Sequence, residues 1–279
     1  MYVQKTLSRT FELLRENPIN IAVYFIPQLV FGAVFFALYL VAYAGLMFGS
    51  ASIAPLFSGQ AGTIVAVLAG ILALAALVAL IALSAFFALM FNRTAYLASK
   101  GTALQLSAAC FSDLIRYAKS NFFAYFKNMI AVAVFSIIVI VIAAIPLLVL
   151  LLAPLLTMGM IPPILLLPLM AIFGIFLAIA YIFAIAVANT SMGMFFMGKE
   201  STGALELLKS SISLLRENIP EYALMILAYA ALSIAFMAAY FATYMTFCLI
   251  PVALGLAVAY QFGLQVSIFV FLSNLISRK

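Results

Sequence analysis

Six stretches of this chain, roughly residues 19–48, 63–91, 128–152, 163–188, 222–244 and 251–273, contain no charged side chain. Each exceeds the roughly 20 residues needed to cross the hydrocarbon core of a bilayer. A segment at that depth has no water to bond its peptide groups, and a helix satisfies them internally where a lone strand does not. The pattern predicts an all-α integral membrane protein of six transmembrane helices. The third and fourth stretches run together as one apolar tract. Pro154, Gly159, Pro162 and Pro163 punctuate it, so a tight hairpin is expected there.

The rest of the chain leaves no room for a second kind of domain. Hydrophobic residues make up 69% and charged ones 7%, and the mean hydropathy is +1.33. A soluble domain carries about 25% charge. The expectation is one membrane domain over 1–279. The first apolar run begins late and is too long for the core of a secretory signal, so it is expected to stay as a span.

The charges set an orientation. All thirteen Lys and Arg lie in the N-terminal segment, the loops after spans two and four, or the tail, and the seven acids share those places. The connections near 49–62, 153–162 and 245–250 carry no charge. Basic residues mark the cytoplasmic side, which predicts cytoplasmic N- and C-termini. Tyr39, Tyr43, Tyr240 and Tyr244 would then form part of an outer aromatic belt. Cys110 and Cys248 fall at opposite faces, too far apart for a disulfide. The net charge of +6 sits beside the membrane, so anionic lipid headgroups are the expected partners and nucleic acid is not.

Each charged segment before an odd-numbered span has a similar design. Val3, Leu7, Phe11 and Leu14 share one helical face, as do Leu104, Ala108, Phe111, Leu114, Ile115 and Ala118, and again Leu205, Leu208, Ile212 and Leu215. Spacings of three and four predict amphipathic helices lying in the headgroup plane. Leu13-Leu14-Arg15-Glu16-Asn17-Pro18 recurs as Leu214-Leu215-Arg216-Glu217-Asn218-Ile219-Pro220, with Leu114-Ile115-Arg116 between them. The three arginines are 101 and 100 residues apart. This predicts three parallel pseudo-repeats, about 1–91, 92–188 and 189–279, each an amphipathic interfacial helix plus a transmembrane hairpin. Asn before Pro suits the entry into a span, where Asn would cap the first amides of the next helix.

The endings Leu13 to Pro18 and Leu214 to Pro220, with helix starts at Gly101 to Leu104 and Gly203 to Leu205, resemble the six-helix membrane families related to the membrane domain of glycerophosphoryl diester phosphodiesterases. The resemblance implies a fold. It carries over no catalytic residue, because any hydrolase in that family is a separate soluble domain that this chain lacks.

Catalytic chemistry is sparse. There is no histidine, which removes the commonest base, metal ligand and nucleophile partner. Two separated cysteines make no zinc site, and no metal or cofactor is expected. The seven acids are scattered among bases, and three of them, Glu12 from Arg15, Asp113 from Arg116 and Glu206 from Lys209, sit at the three-residue spacing of surface ion pairs on helices. Asn92-Arg93-Thr94 and Asn189-Thr190-Ser191 match glycosylation acceptors but lie at inner ends of spans. Gly255 with Ala257 and Ala259, and the Ala-rich run 73–82, are expected to give close helix contacts.

Two sets of side chains remain as candidate sites. Arg15, Arg116 and Arg216 would contact lipid headgroups or a partner's acidic segment, or else snorkel to the interface and pair with neighbouring acids. Gln28 beside Pro27, with Gln261 and Gln265 on one face of the last span, would form an intramembrane polar site or simply bond helices together. No ionisable residue lies inside a span, which argues against coupled transport of charged substrates. The expected function is therefore a non-enzymatic membrane protein that binds lipid or serves as a subunit or scaffold, alone, with a membrane partner or as a homo-oligomer. The alternative is a channel or permease for an uncharged or amphipathic small molecule.

Overall fold

The computed structural model describes residues 2–53, 60–156, 163–198, 202–244 and 250–277. Among these the chain forms eight helices and no strand: α1 (Tyr2–Glu16), α2 (Ile19–Ile53), α3 (Gln60–Ser99), α4 (Ala108–Leu156), α5 (Pro163–Phe196), α6 (Ala204–Glu217), α7 (Ile219–Tyr244) and α8 (Ile250–Ile276). Six of them, α2, α3, α4, α5, α7 and α8, contain windows long and apolar enough to span a bilayer. Their large side chains stay uncovered, as with Ile234 at 73% and Leu227 at 66% exposure. Apolar surface on that scale has lipid as its solvent, and the chain is a multi-pass membrane protein. The hairpin turn expected between Pro154 and Pro163 falls largely on residues 157–162. That turn, Cys248 and the side chains of Tyr39, Tyr43 and Tyr244 lie outside the described residues.

Two helices are much longer than a span requires. At 1.5 Å per residue, α3 with 40 residues and α4 with 49 reach about 60 Å and about 70 Å. The hydrocarbon core is only about 30 Å thick, so their charged ends continue beyond it. Arg93 and Lys100 ride on the end of α3 region, and Asp113, Arg116, Lys119 and Lys127 on the first part of α4.

The middle surface segment differs from the expectation. Residues 102–107 are irregular, and from Ala108 the helix runs unbroken into the span. The flanking copies do break, between Glu16 and Ile19 and between Glu217 and Ile219. Pro follows Asn closely in both of those, whereas Asn121 leads into Phe122-Phe123, where nothing removes a backbone donor. Asn218 also acts differently from the expected cap. Its side-chain amide donates back to the Leu214 carbonyl at 2.8 Å, satisfying the end of α6, while its own carbonyl receives the Tyr222 amide at 3.1 Å.

The packed stripes of the short helices are offset from their apolar faces. In α1, Thr6, Thr10 and Leu13 are buried while Phe11 is 68% exposed. In α6, Leu207, Ser211, Leu214 and Leu215 are buried while Leu205 is 68% exposed. Both shifts are about a quarter turn around the helix at 100° per residue. The close contacts move too. Gly255 has open space around it and Ala75, Ala76 and Ala79 are exposed, so that stretch faces outward instead of packing. Small residues are buried closer to the charged ends, as at Ala85, Ala95 and Ala98.

Two compact units interleave along the chain. One comprises Met1–Leu7, Phe123–Ala239 and Ile268–Lys279, the other Ser8–Phe122 and Tyr240–Ser267. In the first, Tyr125 meets Phe195 edge-on at 5.5 Å, Phe196 meets Phe269 at 5.8 Å and Tyr222 meets Phe271 at 5.1 Å. Gly193 lets α5 approach Leu272 of α8 so closely that a Cβ would overlap the leucine methyl. In the second, Tyr24 lies 4.7 Å from Phe262 and 5.6 Å from Phe91, and Val23, Leu89 and Val266 are fully covered.

Gly193 and Gly174 lie on the same helix but differ in surroundings, since nothing stands within 4 Å of a Cβ at Gly174. Gly193→Leu is expected to lower the thermal midpoint in detergent by an amount equivalent to about 1–3 kcal/mol of overpacking. Gly174→Leu should leave it unchanged, and differential scanning fluorimetry on the pair checks the difference.

Candidate functional site

In the second unit, the charged end of α3 and the start of α4 enclose an open cavity of about 630 Å³. Its construction begins at Gly101. With φ at 78°, this residue ends α3 in the left-handed conformation, its amide bonding Ala98 and that of Thr102 bonding Leu97. That pair of bonds is the Schellman pattern, which a Cβ-bearing residue forms only with strain. The chain then turns back past α2, where buried Asn20 holds it. The Asn20 amide donates to the Thr102 carbonyl at 3.0 Å and its side-chain oxygen accepts the Leu104 amide at 2.8 Å. Ser107 closes the loop by accepting the Cys110 amide on its hydroxyl at 3.3 Å, capping α4.

The walls of the cavity are mixed. Arg93 stacks on Tyr117, its guanidinium carbon 4.2 Å from the ring centre, with Tyr96 on another side at 5.6 Å. Arg116 donates to Asp113 at 2.8 Å, both side chains being mostly in solvent at 82% and 68% exposure. An ion pair so exposed contributes about 0–1 kcal/mol and is readily exchanged. Leu97, Leu104 and Leu114 add an apolar part to the lining. Two guanidinium groups and one carboxylate leave the cavity with an excess of one positive charge.

The expected site residues fall as follows. Arg116 borders this cavity, and Arg15 and Arg216 are exposed in the last turns of α1 and α6, where a cation complements the helix dipole. Glu12 pairs with Arg9 at 3.2 Å, one turn before it. Gln28 and Gln261, 233 residues apart, come together: Gln28 Nε2 donates to Gln261 Oε1 at 3.5 Å. The Tyr24 hydroxyl also bonds Gln28, and Gln265 is half-buried one turn along α8. Among the described residues no three of Cys, Asp and Glu cluster as metal ligands would.

Sequence reasoning missed the Arg93–Tyr117 stack. Arg93-x-x-Tyr96 and Arg116-Tyr117 each hint at a basic–aromatic patch, but only the turn at Gly101 joins them. It also missed the buried polar pairs of the first unit. Ser191 donates to Asn128 at 2.9 Å, and Thr190 and Tyr222 share a 2.8 Å bond. Because Thr190 already gives its proton to the Ala186 carbonyl at 2.7 Å, Tyr222 is the donor. The Thr190–Tyr222 pair borders a second, largely apolar cavity of about 240 Å³ among α5, α7 and α8.

No family model, curated protein or solved structure matches this chain.

Asn20 is the tie that sets the cavity rim. Asn20→Ala should speed hydrogen exchange at residues 102–106 while the Tyr24–Phe91 region of the core keeps its protection. Exchange mass spectrometry reads both regions at once.

Proposed function

We propose that this chain is a non-enzymatic, six-span membrane protein whose charged, cytoplasmic face holds anionic lipid headgroups, and which serves there as a lipid-binding subunit or scaffold. One observation carries the reading. In all three copies of the Leu-x-Arg sequence the leucine is buried, with Leu13, Leu114 and Leu214 at 2%, 3% and 3% exposure, and the arginine two residues on is exposed. Each guanidinium is thus anchored by a packed neighbour and turned outward just before a span. A planar donor held in that position suits a phosphate better than a flexible ammonium would.

The same recurrence favours three parallel pseudo-repeats, since like residues are buried at spacings of 101 and 100. The offset stripes of α1 and α6 favour their lying in the interface. One side packs through Thr10 or Ser211, while the adjacent apolar side, carrying Phe11 or Leu205, is left for lipid. The orientation follows the Lys and Arg bias. The likeness to membrane domains of the glycerophosphoryl diester phosphodiesterase group is a likeness of architecture, supported by the helix count and the surface-helix endings. A non-enzymatic role is favoured by the lack of histidine and the scattered acids.

The contact between Gln28 and Gln261 favours a second reading, a permease for an uncharged or amphipathic molecule with this pair at its path. It is the weaker one, because the two amides bond each other, and such bonds between spans are ordinary packing worth about 0.6 kcal/mol.

Replacing Arg15, Arg116 and Arg216 together with Gln is expected to cut the anionic phospholipid retained per protein after mild-detergent purification several-fold. Zwitterionic lipid should be retained as before. Quantitative lipid mass spectrometry checks this, and equal anionic retention in the variant would count against the reading.

A further inference from the structure

We infer that the cavity between α3 and α4 is a seat for a phosphate group, with Arg93 and Arg116 as its cationic walls and an anionic lipid as the source of the phosphate. The inference rests on the lipid-binding reading above and gives it a specific location, using a residue outside the repeated arginines.

Arg93 is the better prepared of the two. Its guanidinium carbon lies 4.2 Å over the Tyr117 ring centre, and that cation–π contact holds the cation at the cavity wall. The N–H donors lie in the plane of the group, where an oxyanion is received in a fork. Arg116 approaches the cavity from α4. Its present partner is the exposed carboxylate of Asp113 at 2.8 Å, a pair weak enough in solvent for a lipid phosphodiester of equal charge to take its place. Asp113 opposes any anion, so the seat works only while both arginines outweigh it. Ser107 and Ser120 bring hydroxyl groups to the same cavity.

Depth and lining indicate a lipid source. The uncharged stretch of α3 ends at Phe91, and Arg93 is the first charge after it, where a span is expected to leave the hydrocarbon for the headgroups. Leu97, Leu104 and Leu114 supply an apolar wall that inorganic phosphate has no use for. The cavity of about 630 Å³ falls within the range of small-molecule sites and holds a headgroup with its glycerol.

The test titrates the detergent-solubilised full chain with phosphatidylglycerol and, in a separate arm, with inorganic phosphate, read by native mass spectrometry. Arg93→Gln should weaken phosphatidylglycerol binding about tenfold, the loss of one charge-assisted contact. Tyr117→Leu, which keeps every charge but releases the stack, should weaken it several-fold, and Arg93→Lys should fall between wild type and Arg93→Gln. Unchanged thermal midpoints show that these variants are folded, and the Arg93→Lys ordering keeps the test sharp if one is not. Inorganic phosphate that binds in an Arg93-dependent way, with no lipid binding, would uphold the seat and overturn its lipid source. Lipid binding indifferent to Arg93 and Tyr117 but lowered by Arg15→Gln with Arg216→Gln would overturn the seat and leave the broader reading standing. Indifference to all of these substitutions would overturn both.

Discussion

A peptide group inside hydrocarbon has no solvent partner, and leaving it unbonded costs several kcal/mol. Most of the architecture follows from that cost. It makes the six apolar stretches helical regardless of their β-branched content, so that a run such as Phe135-Ser136-Ile137-Ile138-Val139-Ile140-Val141-Ile142 lies in the middle of α4. It also dictates where side-chain polarity is tolerated. Ser84 gives its proton to the Leu80 carbonyl, Thr94 to Met90, Thr190 to Ala186 and Ser211 to Leu207, each four residues back along its own helix. Among the described residues no buried side-chain nitrogen or oxygen lacks a partner.

With hydrogen bonding settled locally, packing decides the rest, and it is concentrated near the charged ends. Most of the fully covered residues, including Asn20, Leu89, Asn128, Thr190, Phe195, Leu207 and Phe269, lie within a few turns of the charged segments, while the small Ala143 and Ala253 are covered farther along. Further along, the spans face outward, as Leu74 and Ile179 do at 62% and 59% exposure. Lipid competes well with side chains as an apolar neighbour, so tight contact persists where small residues or polar pairs give protein the advantage. Gly193 against Leu272 and Ser191 against Asn128 are such places.

The spans and the segregation of charge were legible in the sequence because both depend on composition over lengths near 20 residues. The breaks after α1 and α6 were legible too, from Asn with Pro. The continuity of α4 could have been read from the missing proline after Asn121, but the repeat suggested otherwise. Which stripe of α1 packs inward was not legible. Thr6 and Thr10 are polar by type, yet their hydroxyls find partners, and Phe11 gives up no free energy by facing lipid. Gln28 and Gln261 were anticipated as members of one polar site, and the fold brings them to 3.5 Å. The Arg93–Tyr117 stack depends on a reversal at Gly101 and a clamp from Asn20, a residue 82 positions before the loop it holds. No local pattern encodes a contact of that kind.

The charged segments carry the exposed arginines that follow buried leucines and the cavity flanked by Arg93 and Arg116. The proposed function depends most on those segments all lying on the cytoplasmic side, opposite the uncharged connections. In a background with Cys110→Ser and Cys248→Ser, Ser112→Cys and Ser58→Cys each place one thiol, the first beside Asp113 and the second in an uncharged connection. Labelling intact cells with a membrane-impermeant maleimide should modify the Ser58→Cys protein, and the Ser112→Cys protein only after permeabilisation. Labelling of the Ser112→Cys protein from outside, or of both from the same side, would contradict the account.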